Sequence, residues 1–234
     1  MSLLYIIATP IGNMEDVSYR ALRILGEVEA IACEDTRVTS YILQKYEIKK
    51  PKHFFSYHEH NEEASSERIL SFLRQGLNVA LCSDAGLPSI SDPGFRAIQK
   101  AIDNEFKVDV IPGPSAVQTA LVVSGLPTSS YLFKGFAPRK SGQRQNFFKP
   151  ELDLPHTLIF FESKFRIIDF LKDALIVYGD RKCAVCLELT KKFEQIFRGY
   201  LSDIIEEMEK TNIKGEITVV IAGKHPKFIK PTEK

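Results

Sequence analysis

The sequence lacks the two usual phosphate cradles of α/β proteins: no G-x-G-x-x-G follows its first strand-like run, and there is no P-loop. The common dinucleotide- and triphosphate-binding readings are therefore disfavoured. It also lacks any apolar run near the roughly 20 residues needed to span a bilayer, and the apolar start Met1 to Ala8 has no basic flank of the secretory kind. A cytoplasmic protein with no membrane contact is the expectation. Neither sign of charge dominates, since the formal net charge is +1, so any nucleic-acid binding must come from local clusters of cations. Cysteine is scarce: Cys33, Cys82, Cys183 and Cys186 all lie in apolar, strand-like runs, as buried thiols do. Cys183 and Cys186 have C-x-x-C spacing, but residues i and i+3 of a strand point to opposite faces, which opposes shared chelation. His58 and His60 have no evident third ligand, and no metal is expected. No repeat of fixed period and no low-complexity segment is present.

What is present is βαβ grammar. Strand-like runs at Leu3 to Ala8, Ala30 to Cys33, Phe54 to Tyr57, Asn78 to Cys82 and Val108 to Ile111 alternate with helix-period segments. Those segments run from about Asp16 to Leu25, from Thr36 onward, from Asn61 to Arg74 and from Asp92 to Asp103. Five strands separated by helices predict a mostly parallel sheet covered on both faces. The Pro112-Gly113-Pro114-Ser115 segment breaks the pattern, so a boundary is expected there, giving domains 1–113 and 114–234. The second half again reads as α/β, with a mixed sheet. Its strands are Tyr131 to Phe136, Thr157 to Phe161, Cys183 to Leu187 and Glu216 to Ala222, its helices about Phe165 to Tyr178 and Leu201 to Lys210, and Pro138 to Gln145 a polar loop.

In open α/β sheets ligands bind beyond the carboxyl ends of the strands. Four loops in that position are unusual: Thr9-Pro10-Ile11-Gly12-Asn13, Glu34-Asp35-Thr36-Arg37, Ser83 through Gly94, and Pro112 through Ala116. Each alone is ordinary strand-to-helix punctuation, and together at one sheet edge they favour a site. Basic residues cluster at Lys49, Lys50 and Lys52, at Arg139, Lys140, Arg144 and Lys149, and at Lys224, Lys227, Lys230 and Lys234. These clusters are either phosphate contacts or solvated surface.

These four loops, with Gly135-Phe136-Ala137-Pro138, Phe160-Phe161-Glu162-Ser163 and Arg166, Glu188-Leu189-Thr190-Lys191 and Lys214-Gly215-Glu216, resemble the tetrapyrrole-methylase type (class III) of S-adenosylmethionine-dependent methyltransferase. Within that type they are most similar to the bacterial family that methylates a cytidine ribose 2′-hydroxyl in small-subunit (16S) ribosomal RNA. The resemblance runs along essentially the whole chain. It implies the tetrapyrrole methylase fold of two α/β domains, S-adenosylmethionine in the cleft between them, a homodimer, and small-subunit ribosomal RNA or the assembled subunit as partner. Carried onto this sequence it assigns the cofactor to Pro10, Asp84, Leu87, Ser115, Ala116, Phe161 and Ala222. Longer members carry an extra helical C-terminal domain, whereas this chain ends soon after its last strand.

Methyl transfer to a ribose hydroxyl asks for alignment of the oxygen with the methyl donor and for a group that accepts its proton. Near strand ends the candidate acceptors are Glu34, Asp35, His58 and Glu162. Asp84 faces the cofactor in this reading and would otherwise be a cap or turn residue, and Asp92 before Pro93 reads as a helix cap. Arg37 and Arg166 are the candidate phosphate or ribose contacts, or else partners of Glu34, Asp35 and Glu162. Arg139, Lys140 and Arg144 form a flexible basic element toward RNA, or an ordinary exposed loop. Two other readings stay open: a methylase of the same fold acting on a small tetrapyrrole precursor, and a non-catalytic RNA-binding scaffold.

Overall fold

The computed structural model describes residues 2–231, so Lys234 of the last basic cluster lies outside the described residues. The chain divides into two compact units, Met1–Ser115 and Ala116–Lys234.

The first unit runs β1 (Leu3–Ile7), α1 (Tyr19–Glu27), β2 (Ala30–Cys33), α2 (Thr36–Lys45), β3 (His53–Ser56), α3 (Glu62–Arg74), β4 (Val79–Cys82), α4 (Phe95–Asp103) and β5 (Lys107–Ile111). All five strands are parallel, in the order β3-β2-β4-β1-β5. The central strands are apolar along their whole length because both faces are covered. Leu4, Ile6, Ala30, Ala32, Val79 and Leu81 point to one side, under Ile69, Leu70 and Leu73 of α3 and Ala97 and Ala101 of α4. Ile7, Ile31, Cys33, Ala80 and Cys82 point to the other, under α1 and α2. Burial pushes the Cys33 thiol up to about 11 and the Cys82 thiol higher still, so neither is a nucleophile.

Helix α1 begins at Tyr19 because the Ser18 hydroxyl accepts the Ala21 N–H at 3.1 Å. The residues from Met14 to Asp16, expected to open that helix, form a separate 3₁₀ turn. Helix α4 starts on Gly94 as its N-cap, so Asp92 is not the cap that the Asp-Pro pair suggested.

The second unit runs α5 (Ala116–Ser124), β6 (Tyr131–Phe136), α6 (Ser141–Phe148), β7 (Thr157–Ser163), α7 (Ile167–Tyr178), β8 (Lys182–Leu187), β9 (Gln195–Tyr200), α8 (Leu201–Glu209) and β10 (Glu216–Ile221). Its mixed sheet has the order β6-β7-β10-β8-β9, with β6 parallel to β7 and β10 antiparallel to both β7 and β8. One face packs on α6, α7 and α8 around Phe148, Phe160 and Phe170, whose rings meet edge-to-face at 5.1–5.5 Å. Cys183 faces this core, and Cys186, three residues on, is buried without joining it. Among the described residues no helix is long and apolar enough to cross a membrane.

Two expectations are corrected here. The loop expected from Pro138 to Gln145 is helical from Ser141, and Arg144, grouped with the exposed cations, is buried with its side chain 3% exposed. Its Nε donates to Asp173 Oδ2 at 2.7 Å, while Ser141 Oγ and Gln145 Nε2 both donate to Asp173 Oδ1 at 2.7 Å. Burial alone would raise the Asp173 carboxyl; the bonds from Gln145, Ser141 and Arg144 outweigh it and hold the group below the usual range. Helix α6 is thus fastened to α7 by an ion pair that no apolar period announces, and its arginine has no face for RNA. Removing one partner of a buried pair strands the other charge. Arg144→Ala is expected to lose about 3–5 kcal/mol in urea unfolding, whereas the exposed neighbour Arg139→Ala stays within about 0.5 kcal/mol of wild type.

Candidate active site

Because the parallel sheet runs β2-β4-β1-β5, the four unusual loops leave adjoining strand ends at one edge. Thr9 and Gly86 stitch the first of them to the third. The Thr9 N–H donates to Gly86 O at 2.8 Å and the Gly86 N–H donates back to Thr9 O at 3.0 Å. The Thr9 hydroxyl reaches Ser83 O at 3.1 Å and the Ser83 hydroxyl reaches Gly86 O at 3.2 Å. All three residues are buried, so each bond satisfies a group that water cannot. Gly86 has φ +80°, and a Cβ there would stand 3.6 Å from Ile11 Cγ2 and 3.8 Å from Pro114 O. The conformation, more than the space, calls for glycine.

Beside this stitch, two carboxylates hold each other's loops. Asp84 Oδ1 accepts the Asp35 N–H at 2.9 Å, and Glu34 Oε2 accepts the Asp84 N–H at 3.2 Å. Burial raises both carboxyls; these backbone bonds offset it in part, and repulsion from Asp35 adds to it. Asp35 behaves oppositely. It caps α2, taking the Arg37 N–H at 2.8 Å, and its side-chain bond to Arg37 is the largest of the influences that hold its carboxyl at about 2. Arg37 Nη2 lies 2.5 Å from Asp35 Oδ2, while its side chain is 89% exposed. His58, after β3, is near enough to Glu34 for its charge to draw that carboxyl down. Its backbone N–H goes to Asn61 Oδ1 at 2.8 Å, and its Nδ1 is buried without a hydrogen-bond partner among the described residues. Among the described residues no group of three or more His, Cys, Asp or Glu side chains is gathered as a metal site would require.

Of the residues assigned to the cofactor, Pro10 is buried, while Asp84, Leu87, Ser115 and Ala116 are half-buried at this strand-end edge or at the start of α5. A second candidate cluster lies in the second unit, at the carboxyl end of β7. Phe161 is half-buried, its ring 4.9 Å from Phe133 and 5.7 Å from Phe136. Glu162 Oε1 accepts the Ser163 N–H and Arg166 Nε, both at 2.7 Å, and Arg166 Nη2 at 2.5 Å, while Arg166 Nη1 bonds Ala137 O at 3.3 Å. Internal pairing is therefore the arrangement found for Arg166, which braces β7 against the residue after β6. The second carboxylate oxygen of Glu162 is buried and unpartnered among the described residues.

Ala222, also assigned to the cofactor by the resemblance, is placed apart from the cluster at the end of β7. It follows β10, which is antiparallel to β7, so it lies at the opposite edge of the sheet from the ends of β6 and β7. Its side chain is inaccessible, its N–H bonds Lys182 O at 2.9 Å and its carbonyl accepts Arg181 Nη1 at 3.4 Å. Arg139 and Lys140 are exposed as expected. Sequence reading missed the Glu188 clasp: its Oε1 accepts Lys191 Nζ and the Glu216 N–H, both at 2.9 Å. A Cβ on Gly215 would fall 1.9 Å from that oxygen, and the glycine between two charged residues was the available signal.

The family model for the tetrapyrrole (corrin/porphyrin) methylases matches residues 3–205. Among curated proteins, the ribosomal RNA small subunit methyltransferase I of Halalkalibacterium halodurans is 44% identical over 98% of this chain and 78% of its own. That of Thermotoga maritima is 43% identical over 96% of this chain and 100% of its own, and that of Hydrogenobaculum sp. is 46% identical over 94% and 95%. Among solved structures, diphthine synthase superposes with a TM-score of 0.73 at 14% identity, covering 94% of this chain and 90% of that one. The cobalamin-biosynthetic cobalt precorrin-4 methyltransferase superposes at 0.69 with 18% identity over 94% of both chains.

A carboxyl raised in the folded state costs stability once it ionises. The Asp84 contribution therefore falls as pH climbs from its ordinary 3.8 through the higher folded-state value. Asp84→Asn keeps an oxygen for the Asp35 N–H and removes the charge. It is expected to melt above wild type at neutral pH, with the advantage vanishing below the ordinary carboxyl range, as melting curves across that interval would register.

Proposed function

The chain belongs to the tetrapyrrole (corrin/porphyrin) methylases, and from that membership we propose that it transfers a methyl group from S-adenosylmethionine to the ribose 2′-oxygen of a cytidine in small-subunit ribosomal RNA. The observation that carries this reading is likeness along nearly the whole chain to proteins named for methylating that RNA. On this reading the enzyme works in the cytoplasm, on small-subunit ribosomal RNA or the assembled subunit, and as a homodimer.

The donor set suits the cofactor. Glu34, Asp35 and Asp84 together form an anionic strand-end edge, whereas S-adenosylmethionine carries a sulfonium and an ammonium. Asp84 Oδ1 is committed to the Asp35 N–H, and Asp84 Oδ2, which takes no hydrogen bond among the described residues, is the oxygen left for a ligand amino or hydroxyl group. In the first unit Pro10, Leu87 and Ser115 supply backbone and apolar contacts beside it, and Ala116, Phe161 and Ala222 are the residues we assign to the cofactor in the second unit. Bound, the cofactor supplies an electrophilic methyl group.

The protein's own task is to orient the ribose hydroxyl and receive its proton. Asp35, held at about 2 by Arg37, is too weak a base for that. Glu34, raised by burial, is the stronger acceptor and the one we assign. Arg37, on the exposed side of its pair, and the exposed Arg139 and Lys140 are the cations on this reading that meet phosphate.

The test is transfer of labelled methyl to small ribosomal subunits from cells lacking the modification, with the modified nucleotide mapped, alongside calorimetry of S-adenosylmethionine binding. Label on one cytidine ribose is expected. Asp84→Ala should bind the cofactor about ten- to a hundred-fold more weakly while remaining folded, since a hydrogen bond to a charged group contributes about 1.5–3 kcal/mol. Cofactor binding without transfer would turn the reading toward a small acceptor, and neither binding nor transfer would leave a scaffold.

A further inference from the structure

Strands β6, β7 and β8 all end at one edge of the second sheet, where β10 and β9 begin: the register pairs Glu162 with Ile217, Ile217 with Leu187, and Leu187 with Gln195. The same dipeptide follows two of these ends. Lys164-Phe165 comes after β7 and Lys192-Phe193 after β8, with the rings 86% and 73% exposed. Each lysine rests over the ring of its own phenylalanine, Nζ to centroid 5.0 Å and 5.6 Å. Single exposed apolar side chains are commonplace. Two large rings at one edge, each carrying its own cation, are a pattern.

Cations outnumber carboxylates at this edge. Glu162 pairs with Arg166, Glu188 and Glu216 share Lys191, and Glu194 accepts the Thr190 N–H at 2.7 Å. Arg139, Lys140, Lys164, Lys192 and Lys214 lie in the same loops and have no carboxylate within ion-pair distance among the described residues. Lysine is depleted from the cores of protein–protein interfaces, so exposed rings set among unpaired cations fit a polyanion whose units carry flat faces.

We infer that this edge is a platform for unpaired RNA nucleotides, with Phe165 and Phe193 stacking on bases and Lys164 and Lys192 swinging from the rings to the flanking phosphates. The inference rests on the reading of the chain as an RNA methyltransferase and names where its substrate is gripped. Strands lie ~4.8 Å apart, so β7 and β8 are separated by ~10 Å across β10, about three stacked nucleotides at ~3.4 Å each. In duplex RNA the bases are stacked on one another and their faces closed to such rings.

The test uses the full chain, a labelled cytidine-rich single-stranded octanucleotide and the same sequence in duplex form, read by fluorescence anisotropy. Wild type should prefer the single strand. Phe165→Ala and Phe193→Ala should each weaken that binding on the order of ten-fold, leave melting temperature and S-adenosylmethionine affinity unchanged, and raise KM for small subunits more than they lower kcat. Phe165→Tyr and Phe193→Tyr should restore binding. Lys164→Gln with Lys192→Gln should flatten the salt dependence by roughly 0.7 in slope per lysine. Equal affinity of the alanine variants and wild type, no preference for single strand over duplex, or conversion of a dimer to monomers by the alanine variants would each overturn the inference. Methyl transfer by wild type is scored separately and judges only the underlying reading of function.

Discussion

Glu34 and Asp84 are half-buried at adjoining strand ends, and each is held by a hydrogen bond to the other's loop. Two partly desolvated carboxylates repel each other, and they keep their positions because their loops leave a sheet buried on both faces. Ile31 and Cys33 lead into Glu34, and Leu81 and Cys82 lead toward Asp84, all inaccessible or nearly so. Packing in the middle of the strands thus sets the electrostatics at their ends. The Thr9 and Gly86 stitch adds the β1 loop to the same rigid edge. The result is a negative, partly dehydrated rim of carboxyls raised by burial, and perturbed groups of this kind cluster at functional sites.

The second unit manages buried charge differently. Arg181 is 1% exposed and its guanidinium meets main-chain carbonyls: Tyr178 O at 2.8 Å, Leu152 O at 2.5 Å and Ala222 O at 3.4 Å. Burial draws its pKa below the ordinary arginine value. Tyr178 ends α7, so one of these acceptors is at the negative end of a helix dipole. A cation satisfied by peptide groups ties together three segments far apart in sequence, much as the Arg144–Asp173 pair ties α6 to α7. Both are fastenings by charge in a unit whose apolar core lies mainly on one face of its sheet.

The architecture of the first unit was largely legible because its central strands are continuous apolar runs and its helices carry caps and apolar stripes. Legibility failed where long-range partners decide the local structure. Strand β9 went unseen, since an edge strand such as Gln195 to Tyr200 buries little and carries Arg198 and Gly199, which mute the alternation. Helix α6 read as a loop because Asp173, 29 residues from Arg144, is what holds it. Of the site, the strand-end carboxylates were visible as a motif, but nothing local distinguishes Asp35, pinned by its own helix start, from Glu34, raised by burial. The face of Arg166 and the edge of Ala222 likewise depend on pairings that a single chain does not display.

The reciprocal bonds between Thr9 and Gly86 also bear on motion. Their two amides are protected by the same pair of contacts, so neither can be exposed to solvent protons unless the loops part as one. In hydrogen exchange they form a single opening unit, and the β1 and β4 loops respond together to whatever binds beside either of them.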